Sequence, residues 1–172
     1  MDVSVDIILK GECWKRVVKE YSAFFKEQPY FDIFILCTSI GIILDKRWSF
    51  DDKTDEKITV PRNVIVNHDK GKLDYFLKTA ILTTNTELKE YEDEKERVKI
   101  AFADDETVEF NKIKFLVEFA NYGALELEKN IGETELETMI NFNKYLNELR
   151  TTEIATLRTD RLDEDVDMDF FA

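Results

Sequence analysis

The stretch "FLVEFANYGALELEKNI", from Phe115 to Ile131, combines the spacing of an amphipathic helix with three residues that are unusual at a helix centre. Its apolar residues recur at intervals of three and four, which is typical of a helix with one buried face. Asn121, Tyr122 and Gly123 interrupt the pattern, and Gly in the middle of a helix costs roughly 1 kcal/mol relative to Ala. The stretch therefore marks either a functional site or a place where another element packs closely.

Packing is the hypothesis that the neighbouring residues favour. The apolar stripe of this helix consists of Ile113, Leu116, Val117, Ala120, Ala124, Leu127 and Ile131. The small residues Ala120, Gly123 and Ala124 lie in or near it, so we expect a shallow notch that receives a second helix. Asn121 and Tyr122 are then expected at the edge of the stripe.

The expected partner is "FDIFILCTSIGIIL", Phe31 to Leu44, which is apolar on nearly every side. A helix that is apolar all round belongs in the centre of a fold. This segment therefore predicts the most buried helix of the protein. Within it, Gly41 either permits close packing or marks the end of the helix.

The remaining chain is also mainly helical in pattern. Apolar periodicity and end signals predict further helices over Glu12–Gln28, Lys72–Thr84, Thr86–Phe102, Glu109–Asn130 and Glu133–Leu149, with Gly132 as a C-terminal cap. The irregular segment Asp45–Lys72 is expected to hold a short strand or helical turn around "KITV" and "NVIV". Five Gly and two Pro in 172 residues are few for an all-β protein. We predict an all-α fold with one compact domain of five or six helices over residues 1–150.

Residues 151–172 are predicted to form an acidic, flexible tail, because their many carboxylates cannot build a core. The chain ends "DEDVDMDFFA", in which acidic residues precede two aromatic ones. This order resembles the C-terminal tip of bacterial single-stranded-DNA-binding proteins, although that tip ends on Phe and this chain on Ala172. The resemblance implies docking into a basic-rimmed apolar pocket of a partner; the alternative is a solubilising tail. The predicted partner-binding residues are Asp165, Asp167, Asp169, Phe170 and Phe171.

The irregular segment Trp48 to His68 is a second candidate for interaction with a partner. Trp48 and Phe50 stand there among charged residues, either as core residues or as anchors for another chain. We include both among the predicted partner-binding residues.

Charge and composition limit the classes of function. A net charge of -13 and a pI near 4.6 argue against broad contact with nucleic acid or an anionic membrane. The longest apolar stretch, about 14 residues, is shorter than the roughly 20 needed to span a bilayer, and the N-terminus lacks the pattern of a signal sequence. Cys13 and Cys37 are expected to act as small hydrophobic residues in a reducing compartment. These features predict a cytoplasmic protein.

The sequence offers little for catalysis. His68 is the one histidine, and beside Asp69 it is a candidate general base without a nucleophile motif nearby. "NHDKGK" lacks the glycine spacing of a phosphate-binding loop, and "DKTDEKITV" lacks the central Gly and closing Glu of a calcium loop. We therefore predict no catalytic, cofactor-binding or metal-binding residues, while an enzyme that uses His68 stays open as an alternative.

The order of five segments resembles a known family. They are "YFDIFILCTSIGIILDKR", "ITVPR", "LDYFLKTAILTTN", "FLVEFANYGALELEKNI" and "ELETMINFNKYL". Together they are similar to the small proteins associated with bacterial Dnd systems, which modify DNA by phosphorothioation, over about Phe25 to Leu149. Phe119 stands where the family has Tyr, and Tyr122 where it has its first Gly.

Related small helical proteins occur as the middle component of three-part defence systems built around an SMC/Rad50-like ATPase, such as Lamassu. The resemblance implies a non-catalytic accessory or adaptor subunit of an antiphage defence complex. It would form a hetero-oligomer with an SMC-like ATPase, a nuclease effector or both, without direct nucleic-acid or membrane contact. An acidic DNA mimic that inhibits a DNA-binding enzyme, or a phage-encoded regulator of one, is the alternative, and ordered carboxylates across a folded face would favour it.

Overall fold

The computed structural model describes the backbone of residues 5–25, 29–50, 56–84, 94–102 and 111–164, and the side chains of these residues except 94, 96 and 152–164. The described chain contains two strands, β1 (Ile7–Lys10) and β2 (Lys57–Val60), and seven α-helices: α1 (Glu12–Tyr21), α2 (Pro29–Ile43), α3 (Arg62–His68), α4 (Lys72–Thr83), α5 (Glu94–Phe102), α6 (Lys112–Glu128) and α7 (Glu135–Glu164). The all-α fold class is confirmed. The chain divides into two compact units, residues 1–129 and 130–172.

The centre of the first unit is α2, as its composition predicts. Phe31, Ile33, Phe34 and Cys37 are fully buried in it. Its main packing partner is α6, and α1 and α4 also contact it. The helix ends at Ile43, after which Asp45 takes the left-handed backbone conformation with φ of 48°. Gly41 therefore does not end the helix.

The sheet is a two-stranded antiparallel ribbon in which Ile7 pairs with Val60 and Lys10 with Lys57. Ile7 and Leu9 face the core, while the alternate residues of β1 face outward. A short strand or helical turn was expected around "KITV" and "NVIV"; the structure has a strand, β2, at the first and a short helix, α3, at the second. Strand β1 was not expected from the sequence.

The buried face of α6 is wider than its predicted stripe. Phe115, Phe119 and Asn121 are buried, whereas Ile113 and Val117 are only half-buried. The helix starts at Lys112 rather than Glu109, because the Asn111 side chain caps it by accepting a hydrogen bond from the Lys114 N–H at 2.9 Å.

The second unit begins with a well-defined start of α7. The Thr134 hydroxyl accepts a hydrogen bond from the Glu137 N–H at 3.2 Å, and the Glu137 carboxylate accepts one from the Glu133 N–H at 2.8 Å. Gly132 was expected to cap α6, but it belongs to this turn: its N–H donates to Thr138, and a Cβ would collide with the Glu137 side chain. Helix α7 continues beyond residue 150, the predicted end of the helical domain, to Glu164.

Among the described residues, none of the helices combines the length and apolar character that crossing a membrane requires.

Candidate functional site

The first and last residues of "FANYG", Phe119 and Gly123, lie where the backbones of two helices cross. A Cβ on Gly123 would collide with the backbone carbonyl of Cys37 in α2, and a Cβ on Gly41 would collide with that of Phe119 in α6. The two contacts pair the later residue of one helix with the earlier residue of the other, so the helices cross in antiparallel directions. The predicted notch for a second helix is thereby confirmed, with a glycine on each side. Gly123 is explained by packing.

Asn121, two residues before Gly123 and on another face of the same helix, has a different role from the one expected. It was predicted at the edge of the apolar stripe, but it is only 5% exposed. Its Oδ1 accepts a hydrogen bond from Trp14 Nε1 at 2.8 Å, and its Nδ2 donates to the backbone carbonyl of Trp48 at 3.0 Å. The buried amide is thus satisfied at both ends and joins α1, α6 and the segment after α2.

The segment after α2 is held against α6 at Trp48. The Trp48 N–H donates to the backbone carbonyl of Glu118 at 2.9 Å, while its carbonyl accepts the Asn121 bond. Both polar groups of this residue's backbone are therefore occupied by α6. The residue as a whole is nevertheless 51% exposed. The result is an aromatic side chain on a fixed backbone, half of it in contact with solvent.

Arg47 fixes the same segment from the other side. Its guanidinium pairs with the Glu118 carboxylate at 3.2 Å and lies over the rings of Phe115 and Phe119, with centroid distances of 5.1 and 5.9 Å. Both members of the ion pair are largely shielded from water. Charge pairing and ring stacking together give the segment a defined position.

A cleft of about 250 Å³ lies between β1, residues 49–50 and α6. Its apolar lining comes from Ile8, Phe50 and Val117, and its charged lining from Lys10, Lys114 and Glu118. Phe50 is half-buried and packs beside Gly11, where a Cβ would meet the ring at an ordinary van der Waals distance of 3.5 Å. Glycine is favoured at this position by its φ of 111°. Trp48 and Phe50 were both predicted as partner-binding residues. Phe50 lines the cleft, and Trp48 lies beside it.

The other predicted partner-binding residues, Asp165, Asp167, Asp169, Phe170 and Phe171, lie outside the described residues. Sequence reasoning placed Asn121 at the edge of the apolar stripe, without a binding role, and did not identify Lys114 or the cleft. The sequence contains one signal for the cleft, which is the polar residue Asn121 inside the apolar pattern of α6.

His68 and Asp69 are not arranged as a catalytic pair in the part of the chain that the structure describes. The Asp69 carboxylate accepts hydrogen bonds from the N–H groups of Gly71, at 3.2 Å, and Leu73, at 2.8 Å. It therefore caps the start of α4, with Gly71 in the left-handed conformation at φ of 84°. His68 is half-buried in the last turn of α3.

The two cysteines are buried among core residues, as expected. Burial, followed by the charge and hydrogen bond of Glu128, raises the pKa of Cys13 to about 12. Burial also raises the pKa of Cys37 well above its ordinary value. Both therefore stay protonated at neutral pH, a state in which cysteine is a poor nucleophile and a poor metal ligand. Among the described residues no group of three or more His, Cys, Asp and Glu is placed to hold a metal ion.

The negative charge is distributed unevenly along the chain. The described residues contain 21 Lys and Arg and 21 Asp and Glu, whereas the remaining segments contain three and 16. The whole net charge of -13 thus belongs to residues 1–4, 26–28, 51–55, 85–93, 103–110 and 165–172. The described residues taken together therefore carry no excess of acid, unlike the chain as a whole.

The chain matches no protein-family model, no curated protein and no solved structure.

Proposed function

We propose that this protein is a non-catalytic adaptor subunit of a bacterial antiphage defence complex, and that it binds an SMC-like ATPase or a nuclease partner as part of a hetero-oligomer in the cytoplasm. The observation that carries the adaptor role is the half-exposed Trp48 on a backbone that α6 holds at both N–H and C=O. Tryptophan is enriched among the residues that dominate binding energy. An anchor that is already fixed loses little conformational entropy on association.

The chemistry of the described residues supports a binding role. The Asp69 carboxylate is engaged by two backbone N–H groups, and both thiols have raised pKa values. The most elaborate side-chain arrangement is the set of bonds from Asn121 and Arg47 that positions residues 47–50. Its effect is to present an aromatic surface, which favours assembly over reaction.

The distribution of charge favours an adaptor over a DNA mimic. A mimic needs carboxylates arranged like phosphates across a folded face, with a clear excess of acid. The described residues instead have equal numbers of acidic and basic side chains. Lys10 and Lys114, in addition, line the cleft beside Trp48.

The biological setting rests on the family resemblance. Two of the segments that resemble the Dnd-associated family, "YFDIFILCTSIGIILDKR" and "FLVEFANYGALELEKNI", contain the two helices that cross at Gly41 and Gly123. A shared crossing of this kind would preserve the platform on which Trp48 is displayed. The resemblance therefore fits a common scaffold with a partner-specific surface.

The test is co-purification with an SMC-like ATPase encoded beside this gene. Affinity-tagged wild-type protein should retain the ATPase, and Trp48→Ala should reduce its affinity at least tenfold. Tyr75→Ala is the matched control, because Tyr75 is 65% exposed on α4, away from the cleft. Equal affinity for wild type and Trp48→Ala would refute the proposed interface. Competition between DNA and this protein for the partner's DNA site would support the mimic instead.

A further inference from the structure

In the part of the chain that the structure describes, the sheet ends after two strands, so each strand has an outer edge without a neighbouring strand. We infer that the outer edge of β2 pairs with the same edge of a second copy, and that two chains thereby form a symmetric dimer around one continuous antiparallel sheet. This dimer would form whether or not the chain acts as an adaptor. The features that support it are the direction of the backbone groups of β2, their exposure, and the register that two copies would share.

The direction of the backbone groups follows from one bond at the end of the ribbon. The Gly11 N–H donates to the Glu56 carbonyl at 2.9 Å, which makes these two residues a hydrogen-bonded pair. Such pairs recur at every second position of an antiparallel ladder, so Ile58 also bonds to β1. The N–H and C=O groups of Lys57 and Thr59 therefore point away from β1, towards the outer edge.

The outward groups of β2 are open to solvent. Among the described residues, none makes a hydrogen bond to the backbone of Lys57 or Thr59 on this side, and both residues are exposed. Unpaired backbone groups at a sheet edge are a template for another strand. Two residues that are two positions apart offer two N–H and two C=O groups to a strand that arrives alongside.

The two outer edges of the ribbon differ in their surroundings. Helix α1 lies on the buried face of the ribbon rather than at its edge, since Glu56, on the same strand face as Ile58, pairs with Lys15 at 3.2 Å. The outer edge of β1 instead borders the cleft, where Ile8 lies near Phe50 and α6. These neighbours restrict the approach of another strand to β1, which makes β2 the edge for pairing.

The edge of β2 is self-complementary in one register. When two copies run antiparallel with Ile58 opposite Ile58 of the second copy, Lys57 of each chain lies opposite Thr59 of the other. Because the outward groups belong to these two residues, every one of them finds a partner across the contact. Like charges directly opposite each other would oppose pairing, and this register avoids them. The contact has two-fold symmetry and therefore closes at two copies.

Ile58 gives this register an apolar contact. The other three residues on the buried face of the ribbon, Ile7, Leu9 and Val60, are at most 1% exposed, whereas Ile58 is half-buried. Ile58 is the one of the four that is not enclosed, although its position in the ribbon places it on the same face. In the dimer it forms a non-hydrogen-bonded pair with its counterpart, the kind in which side chains are closest. The two isoleucines would then cover each other.

The first test needs no substitution. The amide hydrogens of Lys57 and Thr59 should exchange freely in a monomer and be protected in the dimer. Their exchange should therefore slow at least tenfold between about 10 μM and about 1 mM protein, while that of Ile8, on the outer edge of β1, stays constant. Light scattering over the same range should show a mass that rises from 20.3 kDa towards twice that value and no further.

Thr59→Pro tests the backbone contact directly. Proline removes the outward N–H and its ring obstructs the edge, but it leaves the bonds between β1 and β2 in place. We expect dimerisation to weaken at least tenfold. Thr59→Val is the matched control, because it keeps the N–H and the branched shape, and it should change dimerisation less than twofold. Ile8→Pro makes the same change at the outer edge of β1 and should also leave dimerisation within twofold of wild type.

Unchanged exchange of Lys57 and Thr59 at the higher concentration would overturn the inference, whether or not the proline variant folds. Dimerisation that is lost in Ile8→Pro and kept in Thr59→Pro would assign the contact to β1 instead. Equal loss in Thr59→Pro and Thr59→Val would assign it to the side chain rather than the backbone. A mass that grows beyond two copies would indicate head-to-tail pairing of β1 with β2. Each of these results contradicts the symmetric β2 dimer.

Discussion

Two regions meet on α6 and are built by opposite means. At the crossing with α2, two side chains are absent, and the backbones of Gly41 and Gly123 approach the carbonyls of the facing helix. Around Trp48 the structure depends on side chains that are present, since Asn121 and Arg47 hold an irregular segment by directed polar bonds. The first region is held by close packing of two backbones, and the second by hydrogen bonds and an ion pair.

Five consecutive residues of α6 serve both purposes. In "FANYG", Phe119 and Gly123 meet α2, whereas Asn121 points to Trp14 and Trp48. Residues four apart share a helix face, and a residue midway between them lies on another. The helix therefore couples the rigid core to the segment that displays Trp48, and changes on the two faces should have different consequences.

Gly123→Ala should have the largest effect. The new Cβ would meet the Cys37 carbonyl, which belongs to a buried helix backbone and cannot rotate away. Overpacking of a core typically costs 1–3 kcal/mol, and a collision with backbone should reach or exceed about 3 kcal/mol. Urea denaturation followed by circular dichroism measures the loss.

The matched control for this prediction is Gly71→Ala. Gly71 has φ of 84°, but nothing lies within 4 Å of a Cβ placed there. Only backbone strain of about 1–2 kcal/mol is therefore expected. If Gly123→Ala were no more destabilising than Gly71→Ala, the crossing would not be as close as the structure has it.

Asn121→Leu should be the most damaging change on the cleft face. It keeps a similar volume but leaves the buried Trp14 N–H and the Trp48 carbonyl without the partner they have here. An unsatisfied buried group costs about 1–3 kcal/mol, so we expect about 2 kcal/mol of lost stability. Native-state hydrogen exchange should show the second consequence, which is faster exchange of the Trp48 amide. Unchanged exchange there would mean that Asn121 does not hold the segment.

The contrast also explains what the sequence could predict. The helix crossing follows from local patterns, because Ala120, Gly123 and an apolar partner helix are visible as small and apolar residues at helical spacing. The same reasoning located the starts of α1 and α4 and the ends of α4 and α5 to within one residue. It did not predict that α1 ends at Tyr21 rather than Gln28, or that α7 continues past Leu149 to Glu164.

The cleft follows from contacts between distant residues. Asn121 bonds to residues 107 and 73 positions away, and β1 pairs with a strand about fifty positions later. Four residues of β1 give too short an alternation to distinguish a strand, and an Asn inside an apolar pattern does not name its partners. Trp48 and Phe50 were identified by residue type, but the cleft beside them required the tertiary structure.

The pH dependence of stability tests how deeply the ionisable side chains of the core are buried. The pKa of Cys13 rises from 9.0 to about 12 on folding, mainly through burial, and that of Tyr21 rises from 10.0 to about 12 for the same reason. A raised pKa contributes stability that is complete below the unfolded value and disappears as pH rises through the folded one. Stability should therefore decline between about pH 9 and 12, at most about 1.4 kcal/mol per pH unit for each group.

Cys13→Ala separates this contribution from other alkaline effects. Its urea-denaturation free energy should fall less steeply than that of wild type between pH 9 and 10, by up to about 1.4 kcal/mol. Parallel pH profiles for the two proteins would show that the thiol is not protected by burial and by Glu128 as the structure indicates.

Trp48→Phe should have the smallest effect on stability, since its backbone bonds to Glu118 and Asn121 do not depend on the side chain. We expect a change within about 0.5 kcal/mol, the usual range for surface substitutions. The fluorescence should change much more, because the protein has two tryptophans, one half-exposed and one, Trp14, fully buried. In Trp48→Phe the remaining emission should resist acrylamide quenching, whereas in Trp14→Phe it should be readily quenched. Strong quenching of the Trp48→Phe protein would show that Trp14 contacts solvent. The contrast between a buried core face and an exposed binding face on α6 would then be wrong.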